Sequence, residues 1–158
     1  MGNLFAASEI VELGIQIEKN GADFYNALIQ KTNNDKARDV FKYLSDEEKK
    51  HIAAFQGILD KLDKYEPPGN YADDYLAYMN VLAGEYIFTQ EGKGEVEARK
   101  IKTDTEAAEA GIKFEKESIL FYEGMKKVVP EYGHKILDQL IIQEHNHLKT
   151  LVDLKQKF

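Results

Sequence analysis

Cysteine and tryptophan are absent from this chain of 158 residues, and proline occurs three times, at Pro67, Pro68 and Pro130. Without cysteine there is no disulfide, no thiolate nucleophile, no zinc finger and no thiolate-held iron–sulfur cluster. A bound metal would have to be held by carboxylate and imidazole. No run approaches the roughly 18 apolar residues that cross a bilayer, which excludes an integral membrane protein. The opening MGNLFAASEIVELG has no basic stretch and carries Glu9 and Glu12, so no signal peptide is expected. Ala6 stands where a myristoylation motif needs Ser or Thr, and a cytoplasmic protein is the expectation. Basic residues are outnumbered, 21 Lys and Arg against 28 Asp and Glu, and the net charge of −7 argues against a nucleic-acid partner, whose phosphates need a basic face. What is present, 43% apolar and 31% charged residues, is the balance of one globular domain spanning 1–158 and long enough to bury a core.

The pattern between the few prolines is helical. From about Ala6 to Gln30, Ile10, Leu13, Ile17, Phe24 and Leu28 recur at spacings of three, four or seven. KTNND (31–35) reads as a turn, with Asp35 able to cap a second helix that runs to about Lys64 and is stopped by YEPPGN (65–70). YLAYMNVLAGEYIF reads as a short apolar helix, broken by QEGKGE (90–95). Thr103-x-x-Glu106 reads as a capping box opening a third long helix that ends at Val129-Pro130, and a last helix runs from about Glu131 to the end. Period-two alternation is missing, so no strand is expected. The predicted architecture is all-α: hairpin one at about 6–64, a crossover at about 65–104 containing the short helix, and hairpin two at about 105–158. A crossover of that length can return along the bundle and leave the second and third long helices parallel.

The two hairpins repeat each other. GIQIEKNGADFYNAL (14–28) and GIKFEKESILFYEGM (111–125) share Gly, Ile, Glu, Lys, Phe and Tyr at an offset of 97. Their partner helices align at an offset of 96, Leu44 with Leu140, Glu48 with Glu144 and His51 with His147. Each copy therefore carries one Glu on its first helix and Glu-x-x-His on its second. Glu18 and Glu48 are equidistant from the KTNND turn, and Glu115 and Glu144 from Val129-Pro130. In antiparallel helices such pairs share a height, roughly 22 Å from the turn at the helical rise. All four carboxylates can lie in one layer, with His51 and His147 on the same helix faces as their glutamates. The neighbours on those faces are apolar: Val11, Ile15 and Ala22 beside Glu18, Phe41, Leu44 and Phe55 beside Glu48, Ala108 and Ile112 beside Glu115, Leu137 and Leu140 beside Glu144.

A buried carboxylate costs several kcal/mol unless protonated or paired. Two divalent cations would neutralise four glutamates and leave two imidazoles to complete the shell. Glu-x-x-His alone is a weak signal. The third instance, Glu131-x-x-His134, follows Pro130, has no repeat partner and faces no apolar stripe, so it reads as part of a helix start. Tyr25 and Tyr122 each fall seven residues after a repeated Glu. They read either as core aromatics with satisfied hydroxyls or as donors that orient a ligating glutamate. Glu117 and Glu123 read as solvated, and His145, beside Glu144, as surface or bundle edge.

The motifs EKNGADFY, DEEKKH, EKESILFY and QEHNH together resemble the ferritin-like di-iron carboxylate superfamily, specifically its rubrerythrin-like branch, over nearly the whole chain. The resemblance implies a ferritin-like four-helix bundle holding two iron ions. Glu48 and Glu144 would bridge them, Glu18 and Glu115 would be terminal ligands, and His51 and His147 would hold one iron each. Manganese or a mixed pair suits the same oxygen-rich set. The implied activity is reduction of hydrogen peroxide or dioxygen. Rubrerythrins proper carry a further glutamate where this chain has Ser118, and usually a rubredoxin domain, which needs cysteine; electrons are expected from a separate donor protein. The alternatives are iron oxidation and sequestration without turnover, and a metal-free helical interaction module. Long apolar helices and the connection make a homodimer plausible.

Overall fold

The computed structural model describes residues 7–65 and 73–158, with backbone alone at 63–65 and 73–76. Helices α1 (Ala7–Lys31) and α2 (Asp35–Tyr65) form the first hairpin, and α5 (Asp104–Met125) and α6 (His134–Lys155) the second. Between them lie α3 (Asp73–Glu85), a 3-10 turn at Ile87–Thr89 and α4 (Lys93–Arg99). No strand occurs among the described residues, and none of their helices is long and apolar enough to cross a membrane. The double-proline stop and the N-terminal expectations fall at 66–70 and 1–6, outside the described residues.

Contacts across the bundle fix its directions. Along α1 and α5, Gly14 meets Met125 and Tyr25 meets Phe114, so these helices run antiparallel. Along α2 and α6, Tyr43 meets His147, His51 meets Gln143 and Ile58 meets Gly133, again antiparallel. Since each hairpin is itself antiparallel, α2 and α5 lie on a diagonal and point the same way. The long crossover is what permits this. The core between the four helices holds Ile10, Ile17, Phe24 and Leu28 from α1, Phe41, Leu44, Phe55 and Ile58 from α2, with Phe121 and Leu137 opposite; Leu13, expected with the α1 set, is only partly buried.

Three local details depart from the sequence reading. The side chain that caps α2 is Asn34, whose Oδ1 accepts from Ala37 N–H at 2.9 Å, whereas Asp35 is already the first helical residue and pairs with Arg38 at 2.7 Å. A cap must stand outside the first turn to reach the third amide, and Asn34 holds that place. Helix α5 ends a turn early, at Met125, because the residue before Pro130 is driven out of the helical region and the chain tightens into short turns from Gly124 onward. The apolar helix stops at Glu85, ahead of QEGKGE, with Ile87–Thr89 in a 3-10 turn, and QEGKGE instead begins a helix: Gly92, at φ 77°, makes the left-handed turn from which α4 starts. The Thr103 box is present, with Thr103 Oγ1 accepting from Glu106 N–H at 3.1 Å and Glu106 Oε2 from Lys102 N–H at 2.8 Å.

The crossover is latched to α1 by one buried asparagine. Asn20 Nδ2 donates to the carbonyls of Phe88 (2.6 Å) and Gln90 (2.7 Å), and its Oδ1 accepts from Gly94 N–H (3.1 Å). Gly94 lies so near the Asn20 backbone that any Cβ would strike its carbonyl oxygen. Lys31 then closes α4, its ammonium donating to the carbonyls of Ala98 (2.9 Å), Arg99 (3.2 Å) and Ile101, where the helix dipole favours a cation. Asn20→Ala strands these groups and should cost about 2–4 kcal/mol of stability. Urea denaturation measures it, and a loss within 0.5 kcal/mol, the ordinary surface level, would contradict the latch.

Candidate metal centre

Helical spacing puts Glu18, Glu48, Glu115 and Glu144 in one layer across all four helices, each completely buried, with His51 and His147 beside them. The imidazoles stack over one another, ring centres 5.5 Å apart and planes within 11°. His51 Nδ1 lies 2.8 Å from Glu144 Oε1 and 3.3 Å from Glu18 Oε2. His147 Nδ1 lies 3.2 Å from Glu48 Oε1, 3.7 Å from Glu144 Oε2 and 3.8 Å from Glu115 Oε1. Two overlapping groups result, with the ligand atoms of each mutually within 4.8 Å: Glu18, Glu48, His51 and Glu144, then Glu48, Glu115, Glu144 and His147. Glu48 and Glu144 belong to both.

The donors around this layer separate the glutamates into two kinds. Tyr25 donates to Glu115 Oε1 at 2.7 Å and Tyr122 donates to Glu18 Oε1 at 2.5 Å, each tyrosine serving the opposite half of the repeat. Glu18 and Glu115 thus keep one oxygen each without a partner, while Glu48 and Glu144 keep both. With Nδ1 of both histidines, eight buried atoms point inward and make no hydrogen bond. Orphaned acceptors on this scale do not persist in a protein interior. Their number, their oxygen-and-imidazole chemistry and the shared pair fit two cations bridged by two carboxylates.

The electrostatics of the layer show the same stress. Burial, then repulsion from Glu144 and Glu18, raises the Glu48 carboxyl well above its ordinary range, and burial with Glu144 does so for Glu115. Glu144 is lowered despite burial, because Glu115, His147 and His51 crowd against its ionised form. Burial opposes a charged His51, but Glu144 and Glu18 outweigh it and push the imidazole up to about 11. Burial and the nearby glutamates raise the hydroxyls of Tyr25 and Tyr122 well above normal, so both remain donors.

All eight residues singled out in the sequence converge here. Of the two readings of the tyrosines, the contacts favour the donor. Glu131 and His134 stay outside, His134 Nε2 hydrogen-bonding the Val129 carbonyl at 3.0 Å, and His145 and Glu123 are exposed. Glu117, expected in solvent, is half-buried beside Lys113. The spacing did not disclose three neighbours. His51 Nε2–H donates to Gln143 Oε1 at 2.6 Å. Ser118 Oγ donates to the Phe114 carbonyl and meets the Tyr86 hydroxyl at 2.9 Å. Glu47 is the repeat partner of Gln143, both immediately preceding a shared glutamate; that position in the repeat was the available signal.

Two overlapping Glu/His groups that share two carboxylates, buried inside a bundle of antiparallel hairpins, are the donor set of a di-metal carboxylate protein. The rubrerythrin family model matches residues 9–155, and the chain belongs to the rubrerythrin family. No curated protein matches it. A crystal structure of a ferritin-like diiron-carboxylate protein from Thermotoga maritima is similar, with a TM-score of 0.68 and 24% identity over 99% of this chain and 98% of that one. The fold is therefore the ferritin-like bundle.

Tyr25→Phe tests the donor role. It leaves Glu115 Oε1 buried without its partner, and affinity for the second cation should fall about 10–100-fold while the helical content is unchanged. Titration with Co(II) reads this; unaltered affinity would make Tyr25 a packing residue only.

Proposed function

We infer that the protein is a di-iron oxidoreductase that reduces hydrogen peroxide or dioxygen to water with electrons from a separate donor protein. The observation that carries this is the pair of overlapping ligand groups sharing Glu48 and Glu144, every ligand atom buried and unpartnered. Glu18, Glu48, His51 and Glu144 would hold one iron, and Glu48, Glu115, Glu144 and His147 the other. Two Fe(II) ions supply, when bound, the two electrons and the Lewis acidity that splitting an O–O bond requires. The four carboxylates contribute fixed negative charge that favours the oxidised pair. Tyr25 and Tyr122 fix the terminal glutamates in rotation, each donating to one carboxylate oxygen. The surrounding Phe41, Phe55 and Phe114 exclude water from the layer.

Ser118 favours a second reading, oxidation and sequestration of iron without turnover. Its hydroxyl is committed to the Phe114 carbonyl and Tyr86, so no extra carboxylate is present there to exchange onto the metals. Stopped-flow oxidation of the Fe(II)-loaded protein by peroxide and by dioxygen separates the two. The oxidoreductase reading expects peroxide to react faster and the oxidised protein to cycle when supplied with a reduced rubredoxin-type donor. One slow oxidation without re-reduction overturns it in favour of sequestration.

A further inference from the structure

Every atom proposed to bind metal is buried, His51 and His147 being 1% and 2% exposed, so a cation must come in by a defined route. A cavity of about 300 Å³ opens on the face between α2 and α6, and His51 forms part of its wall with Glu47, Lys50, Gln139 and Gln143. The Gln143 carboxamide lies over the outer nitrogen of His51. The internal repeat supplies the comparison. Moving by 96 residues, Gln143 corresponds to Glu47, Gln139 to Tyr43 and His51 to His147. At the corresponding place on the other half, the Tyr43 ring stands edge-on to His147, centres 6.0 Å apart. One half of the repeat therefore has a short polar side chain beside its histidine, and the other has an aromatic ring across it.

We propose that the groove between α2 and α6 over His51 is the port by which a divalent cation reaches the centre, and that Tyr43 plugs its twin over His147. This rests on the metal-centre reading above. The chemistry of the mouth suits a cation. Gln139 and Gln143 offer carboxamide oxygens, and Glu47 adds a carboxylate to the same wall. Lys50, 3.1 Å from Glu47, is the counter-charge that an arriving cation displaces. A neutral solute would gain nothing from that pair. The two positions then load in order, the one at His51 before the one at His147.

The test is anaerobic stopped-flow mixing of the metal-free full chain with Co(II) alone, followed by ligand-field absorption, beside equilibrium titration for stoichiometry. Gln139→Tyr, at an exposed position, installs the plug and should slow uptake about ten-fold or more while two cations still bind at equilibrium. Adding Tyr43→Gln opens the twin and should restore the rate. Lys50→Ala should speed uptake several-fold at low salt and lose that advantage at high salt. Ala54→Phe narrows the same cavity from α2 and gives a second closure should Gln139→Tyr fold poorly by circular dichroism. Wild-type uptake rates in both closures overturn the port, as does a double variant that stays slow. Absence of Co(II) binding in the wild type at equilibrium would instead defeat the metal-centre reading itself.

Discussion

Glu144→Ala and Glu48→Ala should each abolish binding of the cation pair, because each removes a carboxylate belonging to both ligand groups. A terminal change such as Glu18→Ala should leave one cation bound. The bridging variants should then part company in the metal-free state. Glu48 is buried, repelled by Glu144 and Glu18, and unsatisfied at both oxygens, so its removal relieves more than it costs; metal-free Glu48→Ala should gain about 1–3 kcal/mol. Glu144 is the carboxylate on which both imidazoles converge, and its loss takes from His51 its nearest carboxylate, at 2.8 Å, and from His147 a second one, at 3.7 Å. Metal-free Glu144→Ala should lose about 2–4 kcal/mol. Metal analysis after purification without chelator and denaturant titration of stripped protein measure the two halves of this result. Two cations retained by either variant would remove the bridging assignment.

Raising the pH should weaken the metal-free protein and strengthen its hold on metal over the same interval. His51 is raised in the folded state from 6.5 to about 11, so the native form binds the extra proton. Its contribution is complete below pH 6.5 and is lost progressively as the pH climbs toward 11. Glu48 and Glu115, also raised, act in the same direction, their contributions fading as the pH rises above the ordinary carboxylate range of about 4.5. Glu144, lowered, acts oppositely: its contribution is present above that range and is lost as the pH falls through it. From these groups the stripped protein should therefore be most stable near the ordinary carboxylate range, about pH 4 to 5, and weaken above it. Cations bind only after the protons on Glu48, Glu115 and His51 have left, so affinity climbs with pH and binding releases protons. With metal in about thousand-fold excess over its dissociation constant, linkage adds about 4 kcal/mol. Melting curves with and without Co(II) at pH 5.5 and 8 should show a much larger metal-induced rise at the higher pH. An equal rise at both would mean that no protons are displaced.

The ligand layer was legible in the sequence because it is written twice. Helical spacing converts Glu48 and His51, then Glu144 and His147, into side chains on one face, and the equal distances of Glu18 and Glu48 from their turn place them at one height. None of that depends on loop conformation. The crossover was less legible because it is held by pairings across some seventy residues, such as Asn20 with Phe88, Gln90 and Gly94. An asparagine inside an amphipathic helix has no periodic signature that announces such partners. Helix α4 was hidden for a related reason: Gly92 and Gly94 look like breakers, yet one makes the turn and the other permits the close approach to α1. The cap at Asn34 rather than Asp35 was a matter of a single residue, settled by which oxygen reaches the Ala37 amide.

The crossed tyrosines carry a lesson about ancestry. Tyr25 reaches over to Glu115 and Tyr122 to Glu18, and each of the two Glu/His groups takes a carboxylate from the other hairpin. Such reciprocal lending is what two identical hairpins would do when clasped about a two-fold axis. In this chain the crossover tethers the two halves of that clasp. Cut within the tether and produced as separate fragments, the halves should regain cations only on being mixed, since neither owns a whole binding position.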